Sequence, residues 1–281
     1  MANGGWTSPA VREIVRLALE EDIGSGDITS QACVPENLKA RGKFLAREPL
    51  VLAAPSVLPL IYEMRGGVDE LTIRRHSGDR CHSGEMIAEV AGRARTLLEC
   101  ERVALNFMQR LSGVATAASL FAKQVIGTHC RVLDTRKTMP GLRILEKLAT
   151  EAGGIINHRM GLYDAVLIKN NHIAAAGGVR QAIERVRAAG LPVAVEARTV
   201  GELRGALDAG AERILLDNLT PAAAAEWIVE IDGRAEVELS GGITLDNVAE
   251  YAELGADYVS CGAITQSARA MDISFRLELL P

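Results

Sequence analysis

Aromatic residues are scarce: four Phe, four Tyr and two Trp make up 4% of the 281 residues. The stacking platforms that single-stranded nucleic-acid binders use are therefore poorly supplied. Positive charge is also lacking overall, with a net charge of −5 and a pI near 5.7, so the surface as a whole does not attract polyanions and no nucleic-acid partner is expected. Any anion site must be a local concentration of Lys and Arg within an acidic shell. The five cysteines, Cys33, Cys81, Cys100, Cys130 and Cys261, have no CxxC spacing and are odd in number, which argues against a disulfide framework and a zinc cluster. A reducing cytoplasm is the simplest location. Long hydrophobic runs are missing too: the best, Pro49 to Tyr62, is broken by Pro55 and Pro59 and falls short of the ~20 residues of a spanning helix. The N-terminus carries Glu13, Glu20, Glu21 and Asp22 without an apolar stretch, so neither a secretory signal nor a membrane segment is expected.

What is present fits a globular chain, 48% hydrophobic and 24% charged, long enough for one large domain or two modest ones. Ser8-Pro9 starts a helix in which Val11, Ile14, Val15 and Ala18 recur until Gly24 and Gly26 end the pattern. From Gly42 to Arg95 short β-prone runs, Leu50 to Ala53, Leu71 to Arg74 and Met86 to Val90, alternate with Gly, Pro and Ser, the texture of a small sheet. Cys100 to Leu111 carries an apolar helical stripe, with Arg102, Asn106 and Gln109 opposite it. Six β-prone segments follow, Arg131 to Asp134, Ala165 to Lys169, Val193 to Glu196, Ile214 to Asp217, Val237 to Leu239 and Tyr258 to Cys261, most of them separated by helical patterns. No Gly-rich dinucleotide fingerprint follows the first strand, so a closed parallel α/β barrel is favoured over an open doubly wound sheet.

In such barrels functional groups sit at the C-terminal ends of the strands. Here those ends carry Thr135, Arg136 and Lys137; His158 and Arg159; Lys169 with Asn170, Asn171 and His172; Glu196; Asp217 with Asn218; Ser240-Gly241-Gly242; and Gly262. One exposed Lys or Arg is worth only about 0–1 kcal/mol as a surface salt bridge. Arg136, Lys137, Arg159 and Lys169 at successive strand ends point instead to a strongly anionic substrate. The Ser240-Gly241-Gly242 turn and Gly262 suit a phosphate held by backbone N–H groups. Glu196 and Asp217 can hold Mg²⁺ with waters retained, accept hydrogen bonds from sugar hydroxyls, or balance the charge of Lys137 and Lys169.

These residues fall into a recognisable pattern. Asp134-Thr135-Arg136-Lys137-Thr138-Met139-Pro140-Gly141-Leu142-Arg143 resembles a signature of the quinolinate phosphoribosyltransferase family. Asn157 to Leu162, Leu167-Ile168-Lys169 with Asn171-His172-Ile173, Leu215 to Asn218 and Ser240 to Ile243 are similar to its later motifs, and Ala18 to Asp22 with Gly24, Gly26, Asp27, Thr29 and Ser30 to its N-terminal one. The resemblance covers essentially the whole chain. It implies an N-terminal α/β open-faced sandwich (residues 1–112, joined by 268–281) and an α/β barrel (113–267), in a homodimer where Arg102 reaches the partner's site. It further implies that Arg136, His158, Arg159 and Lys169 bind substrate carboxylates or pyrophosphate, that Lys137 lies near the reacting centre, that Glu196 and Asp217 serve the ribose and its Mg²⁺, and that Ser240, Gly241, Gly242 and Gly262 hold the 5′-phosphate.

The implied reaction takes quinolinate and phosphoribosyl pyrophosphate to nicotinate mononucleotide, pyrophosphate and CO₂, with no organic cofactor. Asn170, Ala194 and Gln266 depart from the family pattern: an acid often follows the Lys, the strand often reads EVE, and a His often stands near the end. The first two keep a paralogue acting on another aromatic acid in view. Further rivals are a Schiff-base aldolase with Lys169 as nucleophile and a binding subunit that releases no pyrophosphate.

Overall fold

The computed structural model describes residues 4–280, so Met1, Ala2, Asn3 and Pro281, the outer ends of the expected sandwich and its C-terminal addition, lie outside the described residues. The chain forms two compact units. One comprises the chain up to Ser119, Thr138–Gly154 and the chain from Ser267; the other comprises Leu120–Lys137 and Ile155–Gln266.

The first unit opens with α1 (Pro9–Ile23), where the Ser8 hydroxyl accepts the Val11 N–H and Pro9 occupies the first turn. Val11, Val15 and Leu19 are buried, and Gly24, at φ 52°, ends the helix. Asp27 caps α2 (Ile28–Cys33) by accepting the N–H groups of Thr29 and Ser30. Then come β1 (Lys39–Ala46), β2 (Leu50–Val51), α3 (Leu58–Met64), β3 (Glu70–Ile73), β4 (Arg80–Cys81) and β5 (Met86–Arg93). The unit also holds most of α4 (Ala94–Gln124), with α5 (Arg143–Ala152) and, at the C-terminus, β12 (Ile273–Leu279).

The sheet is antiparallel in the order β12-β1-β5-β3. Ala40, Gly42, Phe44 and Ala46 of β1 face the core, while Arg41 and Lys43 on the other face pair with Glu89 and Glu278 at 2.6 and 2.7 Å. One face buried and one laced with charge is an open-faced sheet. The C-terminal segment leading into β12 is clamped by Glu48, whose carboxylate accepts from both terminal nitrogens of Arg269 and from the Asp272 N–H. The Arg269 guanidinium, with the Asp272 N–H, holds that carboxyl at about 2. A carboxylate depressed in the fold stabilises it above the unfolded pKa and loses that contribution as pH falls towards the folded value. Glu48→Gln is therefore expected to flatten the melting temperature against pH between about 4.5 and 2, as thermal melts across that range will read.

The apolar stripe over 100–111 marks only the middle of α4, which runs on to Gln124. Ser112 and Gly113 do not end it. The Ser112 hydroxyl accepts the Ala53 N–H at 3.0 Å, and Gly113 leaves room for the Arg269 carbonyl oxygen, on which a methyl would fall. Helix propensity alone makes Gly113→Ala stabilising by about 1 kcal/mol. Collision with backbone outweighs this, so we expect a net loss of about 1–3 kcal/mol, measurable as a lower urea midpoint.

The second unit carries the parallel strands β6 (Arg131–Leu133), β7 (Val166–Ile168), β8 (Val193–Ala197), β9 (Arg213–Asp217), β10 (Glu236–Ser240) and β11 (Tyr258–Ser260). They pair in the order β6-β11-β10-β9-β8-β7. A seventh stave, at Ile156, bridges to Leu133 on the outer side of β6. It is an isolated bridge, which explains why the Gly153 to Asn157 segment lacks the alternation of a full strand. Helices α6 (Asn170–Ala176), α7 (Val179–Val186), α8 (Val200–Asp208), α9 (Pro221–Ile231) and α10 (Val248–Glu253) provide crossovers between these strands, and α11 (Ala263–Gln266) follows the last of them. The unit is an α/β barrel, and no helix among the described residues is long and apolar enough to cross a membrane.

Candidate active site

At the C-terminal ends of the strands lies a cavity of about 510 Å³. Strand alternation builds its wall, because every second side chain points to the same face. Leu167 and Lys169, Leu215 and Asp217, Glu238 and Ser240, and Ser260 and Gly262 all line it, together with Thr135, Arg136, Lys137, His158 and Arg159. Of the residues to which the family resemblance gives a role, only Glu196 and Arg102 are absent from the lining. Glu196 is buried beside it and meets Lys169 Nζ at 3.2 Å and Arg198 Nε at 3.3 Å, one carboxylate oxygen to each. Arg102 is exposed on α4, in the other unit. The Asp134-to-Arg143 signature is itself divided: Asp134 to Lys137 belong to the barrel, and Thr138 onward to the first unit.

The cations are held by the protein before any ligand arrives. The Thr265 hydroxyl donates to the Lys137 carbonyl at 2.8 Å, and the Lys137 N–H donates to the Thr135 hydroxyl at 3.0 Å. Arg159 Nη1 donates to the Ala165 carbonyl at 3.1 Å. Burial, with repulsion from Arg136, lowers the proton affinity of the Arg159 guanidinium below its usual value, partly offset by Asp164. Crowded cations of this kind are relieved when a polyanion binds.

In the same wall, Gly241 and Gly242 adopt φ 83° and 64°. Consecutive left-handed residues turn backbone N–H groups into a concave nest suited to phosphate oxygens. Asn218, itself at φ 57°, donates its N–H to the Ser240 carbonyl at 2.8 Å and its side-chain amide to Asp217 at 2.7 Å, tying the ends of β9 and β10 together. A Cβ at Gly262 would come 2.7 Å from Lys137 Cδ, so this glycine makes space for the lysine chain. Gln266 lines the cavity, Asn170 opens α6 immediately after Lys169, and Ala194 pairs in register with Leu167.

Three contributors escape the reading of strand ends. Asp134, fully buried, accepts the His158 N–H at 2.7 Å. Arg198 shares Glu196 with Lys169. Glu238, also fully buried, lies 3.4 Å from His158 Nε2 and 3.4 Å from Arg213 Nη1. Burial alone would raise the Glu238 pKa, but contact with His158, the Ser260 hydroxyl and Arg213 outweighs it and holds the carboxyl below the usual range. The alternation Glu236, Glu238, Ser240 in β10 was the available signal.

Fold and site together define an α/β-barrel protein with a cationic mouth edged by a diglycine turn. The model of the quinolinate phosphoribosyl transferase C-terminal domain matches residues 114–276, and that of the N-terminal domain matches 27–112. The carboxylating nicotinate-nucleotide pyrophosphorylase of Mycobacterium leprae is 42% identical over 95% of this chain and 97% of its own. The probable enzyme of the same name from Bacillus subtilis is 39% identical over 92% and 90%. The crystal structure of NadC from Streptococcus pyogenes superposes with a TM-score of 0.91 at 36% identity, over 96% of this chain and 97% of that one. The chain belongs to the quinolinate phosphoribosyltransferase family.

Proposed function

We propose that this protein transfers the phosphoribosyl group of phosphoribosyl pyrophosphate to quinolinate, releasing pyrophosphate and CO₂ and forming nicotinate mononucleotide, a step of NAD biosynthesis. It is a pentosyltransferase. The observation that carries this reading is the pairing of a cluster of cations, Arg136, Lys137, Arg159 and Lys169, with a diglycine phosphate nest in one cavity. One set receives the carboxylates and the leaving pyrophosphate; the other receives the 5′-phosphate. A paralogue acting on a different aromatic acid is not favoured beside relatives named for the carboxylating pyrophosphorylase reaction.

The C1–O bond to pyrophosphate breaks with its electron pair going to the leaving oxygen, where Lys137 and the neighbouring arginines stabilise the growing charge. The quinolinate nitrogen bonds to the electron-poor C1. Its new positive charge then stabilises the pair left on C2 as the adjacent carboxylate departs as CO₂, and a proton replaces it. The pyridinium is the electron sink, so no organic cofactor is needed.

Magnesium, bound to the pyrophosphate, would supply further charge neutralisation. Among the described residues there is no group of three or more His, Cys, Asp or Glu placed to hold a metal. Mg²⁺ often relies on one or two carboxylates plus substrate phosphates, and Asp217 at the cavity wall fits that need. Glu196 fits less well as a direct ligand, because each of its oxygens already meets a cation.

For the assembly, our reading is a homodimer in which Arg102 serves the partner's mouth. It is supported by an apolar groove of about 470 Å³ in the first unit, lined by Ile14, Leu17, Phe107, Leu111 and Leu142, with half of Leu17 exposed. Five unpaired cysteines support a reducing, cytoplasmic setting. Incubation with Mg²⁺ and both substrates should yield nicotinate mononucleotide, identified by mass and chromatography. Product that retains both carboxylates would refute the decarboxylating step.

A further inference from the structure

The inner wall of the cavity carries a carboxylate that none of the roles above employs. Glu238 is fully buried on β10, and against the opposing effect of burial its contacts with His158, Ser260 and Arg213 hold its carboxyl below the usual range. A charge in such a place is costly unless it is paired and hydrogen-bonded. One of its oxygens, Oε2, answers Arg213 at 3.4 Å. Arg213 is in turn occupied on its far side, with Nη2 at 2.8 Å from Glu236 and its guanidinium 4.1 Å above the Tyr258 ring. The other oxygen, Oε1, lies 3.4 Å from His158 Nε2, a charge contact without hydrogen-bond geometry, and no other group hydrogen-bonds it.

Both edges of the His158 ring are therefore spoken for. Nδ1 accepts the Arg159 backbone N–H at 2.7 Å. A ring that accepts at Nδ1 carries its proton at Nε2, the edge turned to Glu238. The backbone of His158 is fixed independently by Asp134. A continuous relay results: the buried carboxylate sets the ring, the ring receives the Arg159 N–H, and the Arg159 side chain projects from that amide to the Ala165 carbonyl and the cavity. Carboxylates that orient an imidazole from behind act in the same way at metal sites, where they fix tautomer and ring direction.

We propose that Glu238 is a positioning residue, which through the His158 ring fixes the backbone turn that aims Arg159 at the dicarboxylate substrate. The role rests on the proposed function, since it presumes that quinolinate is what Arg159 meets. It assigns His158 to the support of Arg159 and not to direct cationic contact with the substrate.

The test uses ¹⁵N-labelled full-length protein, with ring-nitrogen NMR to read the His158 tautomer and steady-state kinetics to read each substrate's KM. The His158 signal is identified by its loss in His158→Gln. Wild type is expected in the Nε2–H form. Glu238→Gln keeps an acceptor for that proton and should keep both the tautomer and, within about threefold, the KM for quinolinate. Glu238→Ala should lose the single tautomer and raise the KM for quinolinate about tenfold or more, with the KM for phosphoribosyl pyrophosphate much less changed. An Nδ1–H ring in wild type overturns the proposal even if Glu238→Ala does not fold. So does Glu238→Ala with an unaltered KM for quinolinate, or with equal rises for both substrates, which would mark a purely structural carboxylate. Failure of the wild type to turn over quinolinate would instead sink the functional reading, leaving the tautomer result to stand on its own.

Discussion

Lys169→Ala should lower kcat/KM by about 10²–10³, the effect of removing one preorganised charge from a site where charge develops, while leaving the fold intact. Lys169 directly follows β7 and lines the cavity, and its ammonium meets buried Glu196 at 3.2 Å. Removing one partner of a buried pair ordinarily costs about 3–5 kcal/mol, because the remaining charge is stranded. Here it is not stranded: Arg198 Nε keeps its 3.3 Å contact with the other Glu196 oxygen, and the Lys169 side chain is about half exposed. The loss should therefore be catalytic. Initial-rate kinetics beside a thermal melt will separate the two, and near-normal turnover would remove Lys169 from the site.

Gly241→Ala should have an effect of similar scale at the diglycine turn. At φ 83° any side chain is strained, and an added Cβ would stand 2.7 Å from the Asn218 backbone nitrogen, which cannot swing aside. Left-handed strain and displacement together cost about 1–3 kcal/mol, or roughly 5–150-fold in affinity if the turn opens where phosphate binds. The KM for phosphoribosyl pyrophosphate should rise by that factor and the KM for quinolinate far less. Equal changes in both would mean that the turn supports the barrel and not the phosphate. Gly262→Ala is the milder companion, since its Cβ meets only the movable Lys137 chain.

The barrel was legible because buried parallel strands write their pattern plainly: Val193 to Glu196 and Ile214 to Asp217 each lie within an observed strand. The polar strand ends were legible for the same reason, each following an apolar run. Lys39 to Ala46 was not legible, because its core-facing positions are Ala, Gly, Phe and Ala, without the β-branched residues that advertise a strand. The full length of α4 escaped because Ser112 and Gly113 look like a stop, whereas their reasons are tertiary: a hydroxyl bonded to Ala53 and a close approach of Arg269.

Within the site, the sequence brings out the charged residues at the strand ends and hides the partners that hold them. Glu238 stands between Val237 and Leu239, Asp134 closes the short apolar stretch of β6, and their common partner, His158, lies 80 and 24 positions away. Arg198 follows Glu196 by two residues, but only the fold shows that both it and Lys169 meet the same carboxylate. Spacing alone cannot distinguish a glutamate that takes a metal from one that already holds two cations.

The central claim is tested most directly by measuring pyrophosphate and CO₂ release from the purified protein with Mg²⁺ and phosphoribosyl pyrophosphate, comparing carboxyl-labelled quinolinate with nicotinate. The account predicts that quinolinate yields both products in equal amounts and that nicotinate yields neither. Pyrophosphate release with nicotinate, or release from quinolinate without CO₂, would contradict it.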